Sequence, residues 1–472
     1  MSENQAQPPL EDIVSLCKRR GFVFPTSEIY GGFANSYDYG PLGAELLHNI
    51  RNLWWQEFVT LRPDMVGIDS QILQHPETWV ASGHVGSFHD PLVEDTVTHK
   101  RYRADHVIEA WVQKAKEENP ASFQDFSVED LSIEEMEAFL SENQVTSPDG
   151  NPLTAPKTFN LLMETELGVI SGEKYKVYLR GETAQGIFTN FRQILDTTRV
   201  TLPFGIGQIG KSFRNEITTG QFVFRTIEFE QAEIEYFFNP ETTHWQELFQ
   251  SWQESMWNFV TKTLGVREEN LQWRQHSDKE RSFYSKDTWD LDYRFPFGWK
   301  ELWGIAYRTD YDLKAQQTHS GQNLEYRDPH TGETFLPHVI EPAVGINRLL
   351  LMVLTDAYWV DQENNRTVLR LSPRAAPYKA AVFPLLKNKP ELVSKAQEIF
   401  AGLSRQFPVV WDDRGNIGKR YLYQDEIGTP FCITVDFETL ENGTVTLRHR
   451  DTTEQERLHA DEVADWIKSL LQ

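Results

Sequence analysis

Residues 210–238, GKSFRNEITTGQFVFRTIEFEQAEIEYFF, decide how the chain is read. Apolar and aromatic residues run into Phe213-Arg214-Asn215-Glu216, a polar, glycine-containing break follows, and a long alternating run begins near Phe222. The pattern is two strands joined by a loop. A period of two puts Arg225, Ile227, Phe229, Gln231 and Glu233 on one face of the second strand. Arg214 and Glu216 share a face of the first. An ordinary amphipathic hairpin turns such charges to solvent. Here the charged face also carries Phe229, and the flanking segments hold further paired carboxylates. A cation, a ring and a carboxylate four residues apart suit a cleft that binds a polyanion beside an aromatic base.

At 472 residues the chain exceeds one ordinary core, which implies two or three domains. Hydrophobic content of 39% with 25% charged residues describes a soluble globular protein, and no apolar run is long enough to span a bilayer. The N-terminus, MSENQAQPPLEDIV, lacks the marks of a signal or transit peptide, so the cytoplasm is the expected location. Only Cys17 and Cys432 are present, which excludes a disulfide framework and argues against a thiolate zinc site. A net charge of −24 argues against whole-surface attraction to nucleic acid. Local basic tracks remain at Lys18-Arg19-Arg20, Lys100-Arg101-Tyr102-Arg103 and Lys419-Arg420.

Outward from the hairpin, Pro41 opens a helix whose Leu42, Leu46, Ile50, Leu53, Trp54 and Phe58 recur at helical spacing. That stripe is heavy enough to pack on its own sheet or partly on a second subunit. Met65–Leu73 reads as a strand and residues 79–93 as loop. Residues 104–156 turn helical, acidic and polar, and read as an insertion. Pro373 and Pro377 mark a linker near Leu371. Beyond it, alternating strands and helices read as one α/β domain, with Asn442-Gly443 as a hairpin turn. The expected division is 1–103 with 157–371, 104–156 inserted, and 372–472.

Phe213-Arg214-x-Glu216 followed by Arg225-x-x-x-Phe229-x-x-x-Glu233 resembles the second signature motif of class II aminoacyl-tRNA synthetases. EPAVGINRLLLMVL from Glu341 resembles the third, and the Leu42 helix with the strand after it resembles the looser first, which is the dimer interface in that class. Within the class, YGGFANSYDYGPLG, LRGETAQGIF, PFGIGQIGKSFRNEIT, FPFGWKELWGIAYRTDYDL and DEIGTPFCITVD resemble the homodimeric type of glycyl-tRNA synthetase. The resemblance implies an α+β catalytic domain, an antiparallel sheet flanked by helices, with a C-terminal α/β anticodon-binding domain. It further implies ATP and Mg²⁺, tRNA(Gly) as partner, and glycyl-adenylate as intermediate.

By that resemblance Arg214, Glu216 and Arg348 serve catalysis. Arg214, Asn215, Glu216, Phe224, Arg225, Thr226, Phe229, Glu301, Leu302, Gly345 and Arg348 bind ATP, with Glu301 on the Mg²⁺ side. Glycine falls to Arg103, Glu182, Phe229, Glu230, Gln231, Glu233, Arg308, Glu341 and Gly345, with Glu182, Glu233 and Glu341 around its ammonium. Arginine suits phosphate because its planar fork grips oxygens bidentately and also stacks on rings. Three departures from the family pattern stand out: Ala343 replaces a usual Ser, Ile227 a usual Arg and Gly181 a frequent Pro. The segment Val93–Val97 offers no cysteine where some relatives carry them, so no zinc is expected. Two other readings stay open: a non-catalytic nucleic-acid-binding relative, such as the synthetase-like accessory subunit of the mitochondrial DNA polymerase, and a synthetase for another small amino acid.

Overall fold

Seven strands build the sheet on which the charged hairpin lies: β1 (Met65–Gly67), β2 (Phe204–Phe213), β3 (Glu228–Phe238), β4 (Leu271–Gln275), β5 (Asp287–Phe295), β6 (Gly298–Thr309) and β7 (His338–Gly345). This computed structural model describes residues 7–471 apart from 120–121, 124–125, 129–130, 169–173, 217–220, 279 and 282–284. The expected break of the hairpin, 217–220, therefore lies outside the described residues. The sheet order is β4-β5-β6-β7-β3-β2-β1. Every neighbouring pair is antiparallel except β1, which runs parallel to β2.

Alternation sorts the side chains of β3 between two environments. Ala232, Ile234 and Tyr236 enter the main core, where helices Pro41–Trp55, Trp245–Asn258 and Ile346–Ala357 cover the sheet. On the opposite face, helix Ala184–Thr197 brings Phe188 and Phe191, and helix Tyr311–Ser320 brings Leu313, against Phe204, Ile206, Phe237 and Val339. That cover reaches only part of the face. The part carrying Phe229, Gln231 and Glu233 is left open as a cleft.

The hairpin departs from the expected pattern at its mouth. β2 ends at Phe213 and β3 begins at Glu228, while Phe222–Phe224 forms a buried 3₁₀ turn. Arg225 and Ile227 precede the strand, so the period of two does not govern them. The helix stripe resolves to the first of its two options. Leu42, Leu46, Ile50, Leu53, Trp54 and Phe58 are all buried in the chain's own core, each worth about 1.5–3 kcal/mol of burial.

The segment read as loop at 79–93 contains the end of helix Pro76–Ala81, a helical turn at His84–Ser87 and strand His89–Glu94. That strand pairs with Arg101–Arg103 on one side and Lys157–Asn160 on the other. Helices Ala104–Glu118 and Ile133–Glu142 pack on it through Val93, Ile108, Val112, Met136 and Leu140.

The C-terminal sheet is formed by β8 (Ala380–Pro384), β9 (Val409–Trp411), β10 (Phe431–Val435), β11 (Thr444–His449) and β12 (Gln455–His459), in the order β9-β8-β10-β11-β12. β8 is parallel to both its neighbours, and β10, β11 and β12 are antiparallel in turn. Asn442-Gly443 is not a hairpin turn. A short helix, Phe437–Asn442, intervenes; Asp436 and Thr439 form a capping box at its start, and Gly443 closes it at φ +75°. The linker near Leu371 is a packed seam. Leu371, Ala375, Ala376 and Ile427 join the main core, and Arg450 donates to the carbonyls of Leu371 and Gly428, both at 2.8 Å. Arg20 Nε donates to Glu426 Oε2 at 2.7 Å, so the first helix also holds the C-terminal part. No helix among the described residues is long and apolar enough to cross a membrane.

Candidate active site

The open face of the sheet forms a cleft of about 460 Å³. At one end lie acids. Odd-numbered positions of β3 and β7 bring Glu233 and Glu341 to it, and the turn into helix Ala184–Thr197 adds Glu182. Glu182 is held by His84 Nε2 at 3.3 Å and by the Gln185 amide at 3.1 Å. Burial pushes its carboxyl up, yet His84, Arg308 and the Gln185 hydrogen bond together hold it well below the usual range. Glu233 accepts from the Thr183 backbone N–H at 2.9 Å, from the Thr183 hydroxyl, and from Gln231 at 3.2 Å. Burial and the Glu182 charge push Glu233 up to about 7. Glu341 pairs with Arg308, whose guanidinium also grips Asp312 bidentately at 2.8 and 3.0 Å. Burial still drives Glu341 up to about 8. Buried carboxyls this close cannot all ionise cheaply unless a cation joins them.

At the other end lie arginines. Arg214 donates to the Gly181 carbonyl at 3.0 Å and lies between two rings, its guanidinium carbon 5.3 Å from the Phe229 centroid and 5.1 Å from that of Phe88. Arg225 faces Glu216 at 3.7 Å. Arg348, on the first turn of helix Ile346–Ala357, lies 4.4 Å from the Phe224 centroid and meets Glu301 Oε1 at 3.1 Å. Arg103 is bound to Asp90 and Asp105, both at 2.6 Å. Arg214, stacked on rings, and Arg225, paired only at 3.7 Å, can accept an incoming anion without rebuilding the site, whereas Arg348 shares its charge with Glu301 and Arg103 is already closely paired.

Glu301 owes its place to a β-bulge. Leu291 pairs with Trp303 but Asp292 pairs with Glu301, so Leu302 is an extra residue in β6. Leu302 enters the main core and Glu301 swings to the cleft, where Gly304 and Arg308 already face. A Cβ at Gly304 would lie 3.6 Å from Asp290 Oδ1 and 3.9 Å from Glu301 Oε1, so both carboxylates flank that position. Hard oxygen donors of this kind fit a Mg²⁺ ion that takes its other ligands from phosphate and water. At the cleft wall the loss of water pushes Glu301 up, but Arg348, Arg225 and Arg214 together hold its carboxyl below the usual range.

Most of the expected positions therefore line one cleft: Arg103, Glu182, Arg214, Glu216, Phe224, Arg225, Thr226, Phe229, Gln231, Glu233, Glu301, Arg308, Glu341, Gly345 and Arg348. Three do not. Glu230 is even-numbered on β3 and turns to the helix side, where Arg51 meets it at 2.6 Å. Asn215 gives its amide to the carbonyls of Asn160 (3.2 Å) and Leu162 (3.5 Å). Leu302 is a core residue. Ile227 is also off the lining; its backbone bridges Asn35 and Arg214. Residues missed from the sequence include His84, Thr183, Asp312, Glu235 and His276. Only Glu235 carried a usable signal, since it continues the alternation 229, 231, 233.

Comparison with known proteins extends this over the whole chain. It is 48% identical over 468 residues to the glycine–tRNA ligase of Alkaliphilus oremlandii, 50% over 463 residues to that of Clostridium tetani and 47% over 465 residues to that of Staphylococcus haemolyticus. Each match covers 97–98% of this chain and of the relative. The chain belongs to the glycine–tRNA ligase family. Glycine–tRNA ligase similarity is thus not confined to the cleft, and residues 379–470 separately match the family described as Anticodon binding domain. That match covers β8 to β12 and the helices between them.

Proposed function

We infer that the chain attaches glycine to tRNA(Gly) for protein synthesis, through a glycyl-adenylate made from ATP in this cleft. The observation that carries the reading is the polarity of one open sheet face, with an acid cage at one end and ring-stacked arginines at the other. An ammonium belongs in the cage and a triphosphate among the arginines, so glycine and ATP would meet head to head on β3. The glycine carboxylate attacks the α-phosphorus and pyrophosphate leaves; the terminal ribose hydroxyl of tRNA then attacks the carbonyl carbon and AMP leaves. Arg214 neutralises charge building on the α-phosphate, Arg225 and Arg348 hold the distal phosphates, and Phe229 stacks on adenine. Glu182, Glu233 and Glu341 hold the ammonium. Mg²⁺, held by Glu301 with Asp290 beside it, would screen phosphate charge.

The remainder of the reading follows from the same resemblance. The catalytic unit is of class II, residues 1–103 and 157–371 with 104–156 inserted, and 372–472 binds the anticodon. The enzyme works in the cytoplasm as a homodimer. Because the Leu42 stripe is buried in its own core, a second copy would meet exposed apolar side chains such as Ile29, Tyr30 and Phe33, at 87%, 86% and 63% exposure. Glycine-dependent exchange of pyrophosphate into ATP tests the activity. Exchange with glycine, and charging of tRNA(Gly), is the expected result; exchange with another amino acid alone would overturn the specificity.

A further inference from the structure

Beneath the acid cage lies a fourth glutamate that the reaction as described does not use. Glu235 is 0% exposed, and neither of its carboxyl oxygens has a hydrogen-bond partner among the described residues. Glu233 pairs with Ala343 and Tyr236 with Ile340, so the register between β3 and β7 sets Glu235 directly against Glu341. Cross-strand partners of this kind hold their Cβ atoms about 4.5–5.5 Å apart. Two buried carboxylates at that separation cannot both carry charge, and one stays an acid.

The surroundings decide which. On its own strand Glu235 has Glu233 two residues before it. From β6 comes Arg308, from helix Tyr311–Ser320 Asp312, and from the turn before helix Ala184–Thr197 Glu182. From β2 the facing residue is the apolar Ile206. Arg308 makes its ion pair with Glu341, and its other nitrogens are taken by Asp312. The side chain of Glu341 keeps 12% exposure at the cleft, while Glu235 keeps none. The proton therefore belongs on the deeper group. Burial, then the Glu341 charge, push the Glu235 carboxyl far above its usual range.

We propose that Glu235 is a positioning residue for glycine: as a neutral acid it donates a hydrogen bond to Glu341 and holds that group toward the ammonium, whose charge makes Glu341 the ionised member of the pair. This rests on the reading of Glu341 as an ammonium ligand. Glu235 itself passes on no proton in the cycle; it stays an acid.

The test is glycine- and ATP-dependence of pyrophosphate exchange in the full-length E235Q, E235M and E341Q proteins, with thermal melts as a folding control. Gln keeps a donor without charge and Met keeps the volume without a donor. E235Q should stay within about twofold of the parent KM for glycine, and E235M should raise it about tenfold, the scale of one buried hydrogen bond, with kcat and the KM for ATP nearly unchanged. Equal loss in E235Q and E235M would mean that a charged carboxylate is needed and would overturn the proposal. So would a parent-like E235M, or a loss shared between glycine and ATP. If E235M does not fold, the pH profile of the glycine KM in E235Q decides: a profile matching the parent between pH 6 and 8.5 supports the neutral acid, and a displaced one overturns it. E341Q separates the two ideas, because an unchanged glycine KM there removes the ammonium reading itself, independently of Glu235.

Discussion

The two ends of the cleft handle charge in opposite ways. At the acid end, Glu182, Glu233 and Glu341 are largely buried and each is engaged: with His84 and Gln185, with Thr183 and Gln231, and with Arg308. At the arginine end, Arg214 and Arg348 rest on aromatic rings, and Arg225 meets Glu216 only at 3.7 Å. On the proposed reading the first is a socket whose surplus charge protons hold in check until the glycine ammonium arrives. The second is a set of exchangeable partners. A small ammonium with nothing beyond its Cα demands the first design; a flexible polyphosphate tolerates the second.

The contrast can be broken most sharply at Arg214. Arg214→Ala should cut the rate of pyrophosphate exchange about 10²–10³-fold, as for other losses of a group that meets developing charge; a change under tenfold, measured at saturating substrates, would remove it from the α-phosphate. Next in size is Glu341→Gln, which should raise the glycine KM about 10–100-fold and leave the ATP KM within a few-fold, because a hydrogen bond to a charged group is lost at one end only. Equal effects on both substrates would erase the distinction between the ends.

The pH dependence of stability sharpens the comparison further. Glu233 and Glu341 are raised, to about 7 and about 8, from an ordinary value of 4.5. The folded protein thus binds these protons more tightly than the unfolded chain. That contribution is complete below the unfolded value and is lost as pH rises through the folded values. Glu182, shifted downward, is ionised in both states above pH 6 and does not oppose it. The melting temperature without substrate should therefore fall between about pH 5 and 8, and millimolar glycine should reduce the fall. The smallest expected effect is at Ala343, which pairs with both Glu233 and Gly304. Ala343→Ser adds a hydroxyl there and should lower the glycine KM by a few-fold, the worth of one neutral hydrogen bond.

What the sequence disclosed follows from where simple periodicity holds. Within β3 it holds, so Phe229, Gln231 and Glu233 fall on the cleft. It also places Glu230 on the helix side, an inference that local alternation permits and that the motif resemblance overrode. It breaks at the ends of the hairpin, where the 3₁₀ turn at Phe222–Phe224 detaches Arg225 and Ile227 from the strand. The Leu302 bulge is likewise invisible, because a two-for-one pairing is settled by β5 and the core and not by β6 alone. Asn442-Gly443 has the composition of a hairpin turn, yet Gly at positive φ also closes a helix, and the Asp436–Thr439 capping box selects that use. His84 reaches Glu182 from a segment with no regular pattern, and no local signal marks it.

One contact carries a consequence for synthesis. Arg19 and Arg20 leave the ribosome some four hundred residues ahead of Glu426, the carboxylate that both of them bind; the separations are 407 and 406 residues. Arg20 also lies 4.6 Å from the Tyr423 ring. The basic end of the first helix must therefore wait in solvent until helix Ile417–Ile427 has emerged. The last turn of the first helix thus gains its carboxylate partner only some four hundred residues later in synthesis.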